Sequence, residues 1–249
     1  MTTPLDFLYR DEAIWAVNKP AGLSTQAPPG YDSLETRVRA ALREKPAINA
    51  APGITCDPRP PYLGVPHRLD RPVSGVVLFA VTPRAARQLS RQFERRTIHK
   101  TYWGVVSGQV PEDEGTWIDH IRKIPDEPRG EIVSPNLPDA RPAIMHYHVL
   151  TRDAAATLLQ ITLETGRMHQ IRLQAATRGF PIWGDALYGS AETFGTASTD
   201  PATLAIALHA RAIEFHHPEL QRRIRVEAPL PAVWSLFAEE LLAPQIGGQ

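Results

Sequence analysis

The chain has 249 residues and carries 27 basic and 27 acidic side chains, so charge balance alone does not mark a nucleic-acid binder. No run approaches the roughly eighteen apolar residues needed to span a bilayer, and a single cysteine, Cys56, excludes an intrachain disulfide. No Cys/His spacing suggests a zinc site, and Met1 to Asp6 lacks the basic start and apolar core of a signal peptide.

These features point to a soluble, cytoplasmic protein of one large domain, or of two small ones sharing a sheet. Lysine occurs only at 19, 45, 100 and 123, so 27 minus 4 leaves 23 arginines. Arginine suits planar phosphate contacts and stacking on bases. A genome-wide preference for arginine codons would give the same count.

Phe7 to Arg10 and Ile14 to Val17 read as short strands around the acidic turn Asp11-Glu12, and Asn18 to Gly22 forces another turn. Ser33 can cap a helix from Leu34 to about Glu44, with Leu34, Val38, Ala41 and Leu42 on one face. Prolines at 46, 52, 58, 60, 61 and 66 rule out regular structure over that stretch, and its length suggests a functional loop. It leads into Val65 to Gly75, where Asp70 sits close to Arg68 and Arg71. A buried strand, Val76 to Val81, follows. A guanidinium beside a carboxylate favours its ionised form, as a nucleophile or base requires. A loop salt bridge without function would look the same.

Thr82 and Pro83 open a helix on which Arg84, Arg87, Arg91 and Arg95 form a basic stripe opposite Ala86, Leu89 and Phe93. The stripe is either a solvated face or a phosphate contact. Thr97 to Gly108 reads as a strand, Gly108 to Gly115 as a turn, Trp117 to Ile121 as a short strand, and Pro125 to Pro138 as an irregular loop. Arg141 to Leu150 and Ala156 to Glu164 form an antiparallel pair, with His146 and His148 read as ordinary strand residues. Thr165 to Leu173 opens a helix ending near Gly179, and residues 190 to 202 form a small, polar loop. Leu204 to Phe215 and Arg223 to Ala228 are the last strands, and Pro231 to Leu242 a closing helix. Many hairpin-like strands with few helices predict an α+β fold on a large, mainly antiparallel sheet.

His67-Arg68-Leu69-Asp70, followed by Ser74-Gly75, resembles the HRLDxxTSG signature of the RluA-type RNA pseudouridine synthases. Further stretches fit that family in the same order: Asn18 to Gly22, Lys100-Thr101-Tyr102, Gly166 to Arg172, Pro181 to Gly189, and Leu208-His209-Ala210 with His217-Pro218. The resemblance covers about residues 7 to 230. It implies a pseudouridine synthase catalytic fold, a mixed, mostly antiparallel sheet in two halves with flanking helices and a central cleft. By the same resemblance residues 1–249 form one catalytic domain without the family's frequent N-terminal S4 domain. It also implies an isomerase acting on uridine in ribosomal or transfer RNA, with neither metal nor organic cofactor. Nothing in the sequence demands more than a monomer.

The resemblance assigns Asp70 as the catalytic carboxylate, Tyr102 as the ring stacked on the target base, and Arg172 as the partner of Asp70. It makes Leu173 part of the base pocket and Arg68 a contact to RNA near the flipped nucleotide. Arg84, Arg87 and Arg91 are candidates for flanking phosphates, because extruding a stacked base costs a few kcal/mol that phosphate contacts can offset. Asp185 is a rival carboxylate, read as a turn or cap residue. Pro72, Val73, Met168 and Phe180 depart from the family pattern without removing a charged or stacking group. Two other readings are an RNA-binding folding helper on the same fold, and a hydrolase that uses Asp70 on a glycosidic bond. The hydrolase would usually need a second carboxylate as paired acid.

Overall fold

The structure, a computed structural model, describes residues 4–44, 60–195 and 204–237. Strands β1 (Phe7–Arg10) and β2 (Ile14–Lys19) pair antiparallel. Asp11 makes their turn, its Oδ1 accepting the backbone N–H groups of Ala13 and Ile14 at 2.8 and 2.7 Å. Helix α1 (Leu34–Glu44) starts where Ser33 Oγ accepts the Thr36 N–H at 3.1 Å. Most of the proline-rich stretch, residues 45 to 59, lies outside the described residues.

Strand β3 (Ser74–Ala80) is buried at every position, as its continuous apolar run requires. Helix α2 (Pro83–Glu94) packs on it through Ala85 and Leu89. Its N-cap is Thr82, which accepts the Ala85 N–H, and its first position is Pro83. Then come β4 (His99–Ser107), β5 (Glu114–Lys123), β6 (Gly130–Ile132), β7 (Arg141–Arg152) and β8 (Ala156–Leu163). After helix α3 (Gln170–Ala176) and a 3-10 turn (Ala186–Tyr188), strands β9 (Leu208–His216) and β10 (Arg223–Glu227) complete one sheet.

The strand order is β1-β2-β3-β9-β4-β8-β7-β5-β6, with β10 on β9. Among the described strands only β3 and β9 run parallel, and β9 thereby joins two antiparallel groups. Contact is tightest at Gly75, where a Cβ would stand 2.3 Å from the Ala210 carbonyl oxygen and φ is +117°, so only glycine fits. Beside it Ser74 Oγ meets His209 Nδ1 at 2.8 Å, inside the sheet.

Most strand ends shift by a few residues from the sequence reading, and four differences bear on the fold. Strand β5 begins at Glu114, within the expected turn, because Gly115 pairs with Tyr147 and the tyrosine ring covers it. Residues 130–132 of the expected loop pair with 121–123 as β6, a contact without a local sequence signal. Strand β9 starts at Leu208 rather than Leu204. The closing helix is a 3-10 segment over Ala232–Phe237, and its expected continuation to Leu242 lies outside the described residues, as do residues 196–202 of the expected polar loop. The architecture is α+β, a large mixed sheet flanked by helices.

Candidate active site

Asp70 lies in the loop before β3, and residues 19–25 clamp that loop from below. Thr25 Oγ1 donates to the Leu69 carbonyl at 2.9 Å and accepts the Leu69 N–H at 3.1 Å. Gly22 N–H binds the Arg71 carbonyl, and Arg71 Nε returns a bond to the Gly22 carbonyl. The Lys19 side chain is fully buried, with Nζ donating to the carbonyls of Pro20, Leu23 and Arg71 at 3.0, 2.7 and 3.1 Å. Burial pulls Lys19 down to about 7 against the favourable field of Asp70. Three carbonyl acceptors use all three N–H groups of an ammonium, so the cage matches the charged form. The Val73 N–H closes the turn onto the Asp70 carbonyl.

From the other side Asp70 meets residues of the 165–190 region. Arg172, on α3, is 4% exposed and directs Nη1 at Asp70 Oδ2 from 3.3 Å. Its Nε and Nη2 donate to Asp185 Oδ2 and Oδ1 at 2.6 and 2.8 Å, a planar fork, and Asp185 is 1% exposed. The Tyr188 ring, one turn beyond Asp185, lies 5.1 Å from the Arg172 guanidinium carbon. His169 Nε2 stands 3.6 Å from Asp70 Oδ2, and its Nδ1 shares a 2.9 Å hydrogen bond with the Tyr188 hydroxyl. Burial lowers the pKa of His169, with Asp70 acting in the opposite direction. Arg172 loses to burial but is held charged by Asp185 and Asp70.

Asp70, His169 and Arg172 open onto a cavity of about 560 Å³. Tyr102, on β4, is 9% exposed and lines it together with Val73, Ile98, Leu163, Ile171 and Leu208. Burial, and secondarily the Asp70 charge, raises the Tyr102 phenol, so it stays protonated at neutral pH. His67, beside Arg68 in the motif loop, faces inward: its Nε2 accepts the Leu78 N–H at 2.9 Å and its ring stacks on Phe93. Burial lowers it to about 3. The cavity thus offers a carboxylate, a buried cation, a neutral phenol ring and apolar walls, a setting suited to a flat, uncharged ring beside a reacting carboxylate.

Asp70, Tyr102, Arg172 and Arg68 all border this one cavity, although they come from segments far apart in sequence. Leu173 does not line it. One residue further around α3 than Arg172, it is turned about 100° away and packs with Ile121 and Ala143. Its expected place in the wall is filled by Ile171 and Leu208. Arg84, Arg87 and Arg91 are exposed on α2, and none of them lines the cavity. Of the residues departing from the family pattern, Val73 and Met168 line the cavity.

Sequence reasoning assigned no role to Lys19, His169 or Tyr188. Their signals were indirect: a lysine before Pro-Ala-Gly, a histidine three residues before Arg172, and a tyrosine three residues after Asp185. His146 is bonded to Thr116 and Glu164 as a strand residue.

A family model described as RNA pseudouridylate synthase matches residues 13–177. The chain is 36% identical over 236 residues to the ribosomal large subunit pseudouridine synthase D of Xylella fastidiosa, covering 92% of this chain and 66% of that protein. It is 32% identical over 237 residues to an uncharacterized RNA pseudouridine synthase of Bacillus subtilis, covering 95% of this chain and 73% of the relative. The solved structure of human RNA pseudouridylate synthase domain containing 4 superposes with a TM-score of 0.72 at 21% identity, covering 95% and 93% of the two chains, so the fold is shared. The chain belongs to the RNA pseudouridylate synthase family. It spans about two thirds of the length of the Xylella relative (66%).

Proposed function

We propose that this chain isomerises specific uridines in ribosomal or transfer RNA to pseudouridine, with Asp70 as the reacting carboxylate, Tyr102 as the stacking ring and Arg172 as the partner of Asp70. The observation that carries the reading is the Asp70–Arg172 contact of 3.3 Å at the edge of a cavity that Tyr102 also lines. In the reaction the bond from C1′ to N1 breaks and a bond from C1′ to C5 forms; a proton leaves C5 and one is gained at N1. Asp70 acts at the sugar as nucleophile or base, and Arg172 favours its ionised form. The freed uracil turns over without escaping, held against the Tyr102 ring and the apolar walls. The reaction as written calls for neither metal nor organic cofactor. The target nucleotide is flipped into the cavity, where Arg68 contacts the RNA.

A glycosidic-bond hydrolase has less support. Asp185, the carboxylate sharing a cation with Asp70, has both oxygens committed to Arg172, and Glu164 is bonded to His146 at 2.7 Å. No helix among the described residues is long and apolar enough to cross a membrane. We place the activity in the cytoplasm, carried out by a monomer.

The test is pseudouridine mapping of total RNA from cells with and without the protein, followed by treatment of the deficient RNA with purified protein. Loss of pseudouridine at one or a few positions, restored in vitro, is expected. Identical maps, with no modification by the purified protein, would end the proposal.

A further inference from the structure

The cavity lining carries more positive charge than the chemistry at Asp70 uses, even with Glu94 and Glu164 also on it. Arg68, Arg96, Lys100 and Arg167 all line it, and none of the four has an acidic partner within salt-bridge distance among the described residues. Arg122, Arg152 and Arg223 on the sheet, and Arg178 just after α3, each pair with a carboxylate, whereas Arg84, Arg87 and Arg91 on α2 do not among the described residues. Arg167 is fixed by its Nε, which donates to the Pro142 carbonyl at 2.9 Å, leaving its two terminal nitrogens without a protein partner among the described residues. Burial, and after it the nearby charges of Arg96 and Arg141, disfavour the charge on Arg167.

Arg96 supplies an independent argument. It follows the C-cap Arg95 of α2 and adopts φ +57°, the left-handed conformation in which helices favour glycine. A branched-off side chain there costs stability relative to glycine. The chain nevertheless keeps a guanidinium at this position, on the edge of the cavity.

We infer that Arg96 and Arg167, which line the same cavity and lie close enough to feel each other's charge, form a clamp for the backbone phosphates flanking the flipped uridine. The inference rests on the proposed RNA substrate and adds the place where the strand is gripped. A clamp here serves two purposes: it fixes the sugar of the flipped nucleotide relative to Asp70, and its phosphate contacts offset the unstacking of the base. The basic stripe of α2 ends beside Arg96, so Arg91, Arg87 and Arg84 would continue the positive track away from the mouth.

The test uses binding of a single-stranded oligouridylate across a salt series, with melting temperature measured in parallel. Arg96→Gly should keep or raise the melting temperature while weakening binding about tenfold at moderate salt. It should also lower the slope of log K against log salt by about 0.7, the value for one single-strand phosphate contact. Arg167→Gln should do the same to binding. Arg223→Gln, on β10, should leave both readings unchanged. Unchanged affinity and slope in both Arg96→Gly and Arg167→Gln would overturn the clamp. Because this readout is binding, it is separable from turnover: a wild-type protein that binds oligouridylate with the expected slope but forms no pseudouridine in any RNA would overturn the proposed reaction and leave the clamp standing.

Discussion

Asp185 holds Arg172 by Nε and Nη2, at 2.6 and 2.8 Å, and leaves only Nη1 to face Asp70 at 3.3 Å. The guanidinium is thus anchored by one carboxylate and presented to another. With both members of the anchoring pair nearly inaccessible, its geometry is set by the fold and not by solvent.

Removing the anchor should therefore cost both stability and rate. Asp185→Ala leaves a buried cation without its main partner, and we expect a loss of about 3–5 kcal/mol in urea denaturation. Asp185→Asn keeps the shape but weakens the fork. The expected result is a fall of about a hundredfold in kcat with little change in RNA affinity, since a displacement of about 1 Å near the chemistry has that effect. A variant with the wild-type kcat would show that Arg172 needs no anchor.

Asp70→Asn should bind RNA with wild-type affinity and lose isomerisation by about 10²–10⁴-fold or more. The side chain is 29% exposed and, among the described residues, makes no bond that holds the fold together beyond its contacts to Arg172 and His169, so melting should change little. Pseudouridine formation at a near-normal rate would remove Asp70 from the reaction.

Tyr102 separates ring from hydroxyl. No hydroxyl bond anchors it among the described residues, and the phenol stays protonated at neutral pH, so Tyr102→Phe should retain RNA binding with a flat pH response across the neutral range. Tyr102→Ala should lose most activity and destabilise the sheet by about 3–5 kcal/mol, as truncation of buried aromatic residues does. Equal activity of the Phe and Ala variants would count against a stacking role.

Acid should destabilise the fold through His67 and His209. Burial lowers them to about 3 and about 4 from the ordinary 6.5. His67 must keep Nε2 bare to accept the Leu78 N–H. His209 donates Nε2–H to the Ala228 carbonyl and accepts from Ser74 on Nδ1. Between pH 6.5 and about 4 the unfolded chain takes up protons that the folded chain refuses. Stability is then full above pH 6.5 and falls as pH drops through the window, by about 1.4 kcal/mol per pH unit for each histidine. Urea midpoints at pH 7, 6 and 5 measure it, and His209→Gln should flatten the decline. A midpoint independent of pH over this range would mean that neither ring is held neutral.

Local signals in the sequence carried the elements with local causes. Thr82-Pro83 opens α2, Ser33 opens α1, and Asp11 closes the first hairpin, because each acts on backbone groups two or three residues away. The ordered motifs likewise pointed to Asp70, Tyr102 and Arg172, which border one cavity. What the sequence hid depends on partners far along the chain. Gly115 reads as a turn until Tyr147 is placed over it, and β6 exists only by pairing with β5. Leu173 reads as a neighbour of Arg172, yet helical rotation sends it to Ile121 and Ala143. The commitment of Asp185 to Arg172, and of Tyr188 to His169, likewise becomes visible only when the turn after α3 folds back.

The place of β9 in the sheet bears on how the molecule matures. It is the ninth strand in chain order among the described residues and lies between the third and the fourth, so until residues 208–216 have been synthesised β3 and β4 have no bridge. A nascent chain stopped earlier would hold two half-sheets with open, hydrogen-bonding edges and a divided cavity, prone to self-association. Assembly of the site is therefore deferred until β9 has been made, when Ala210 closes against Gly75 and brings Tyr102 up to Asp70.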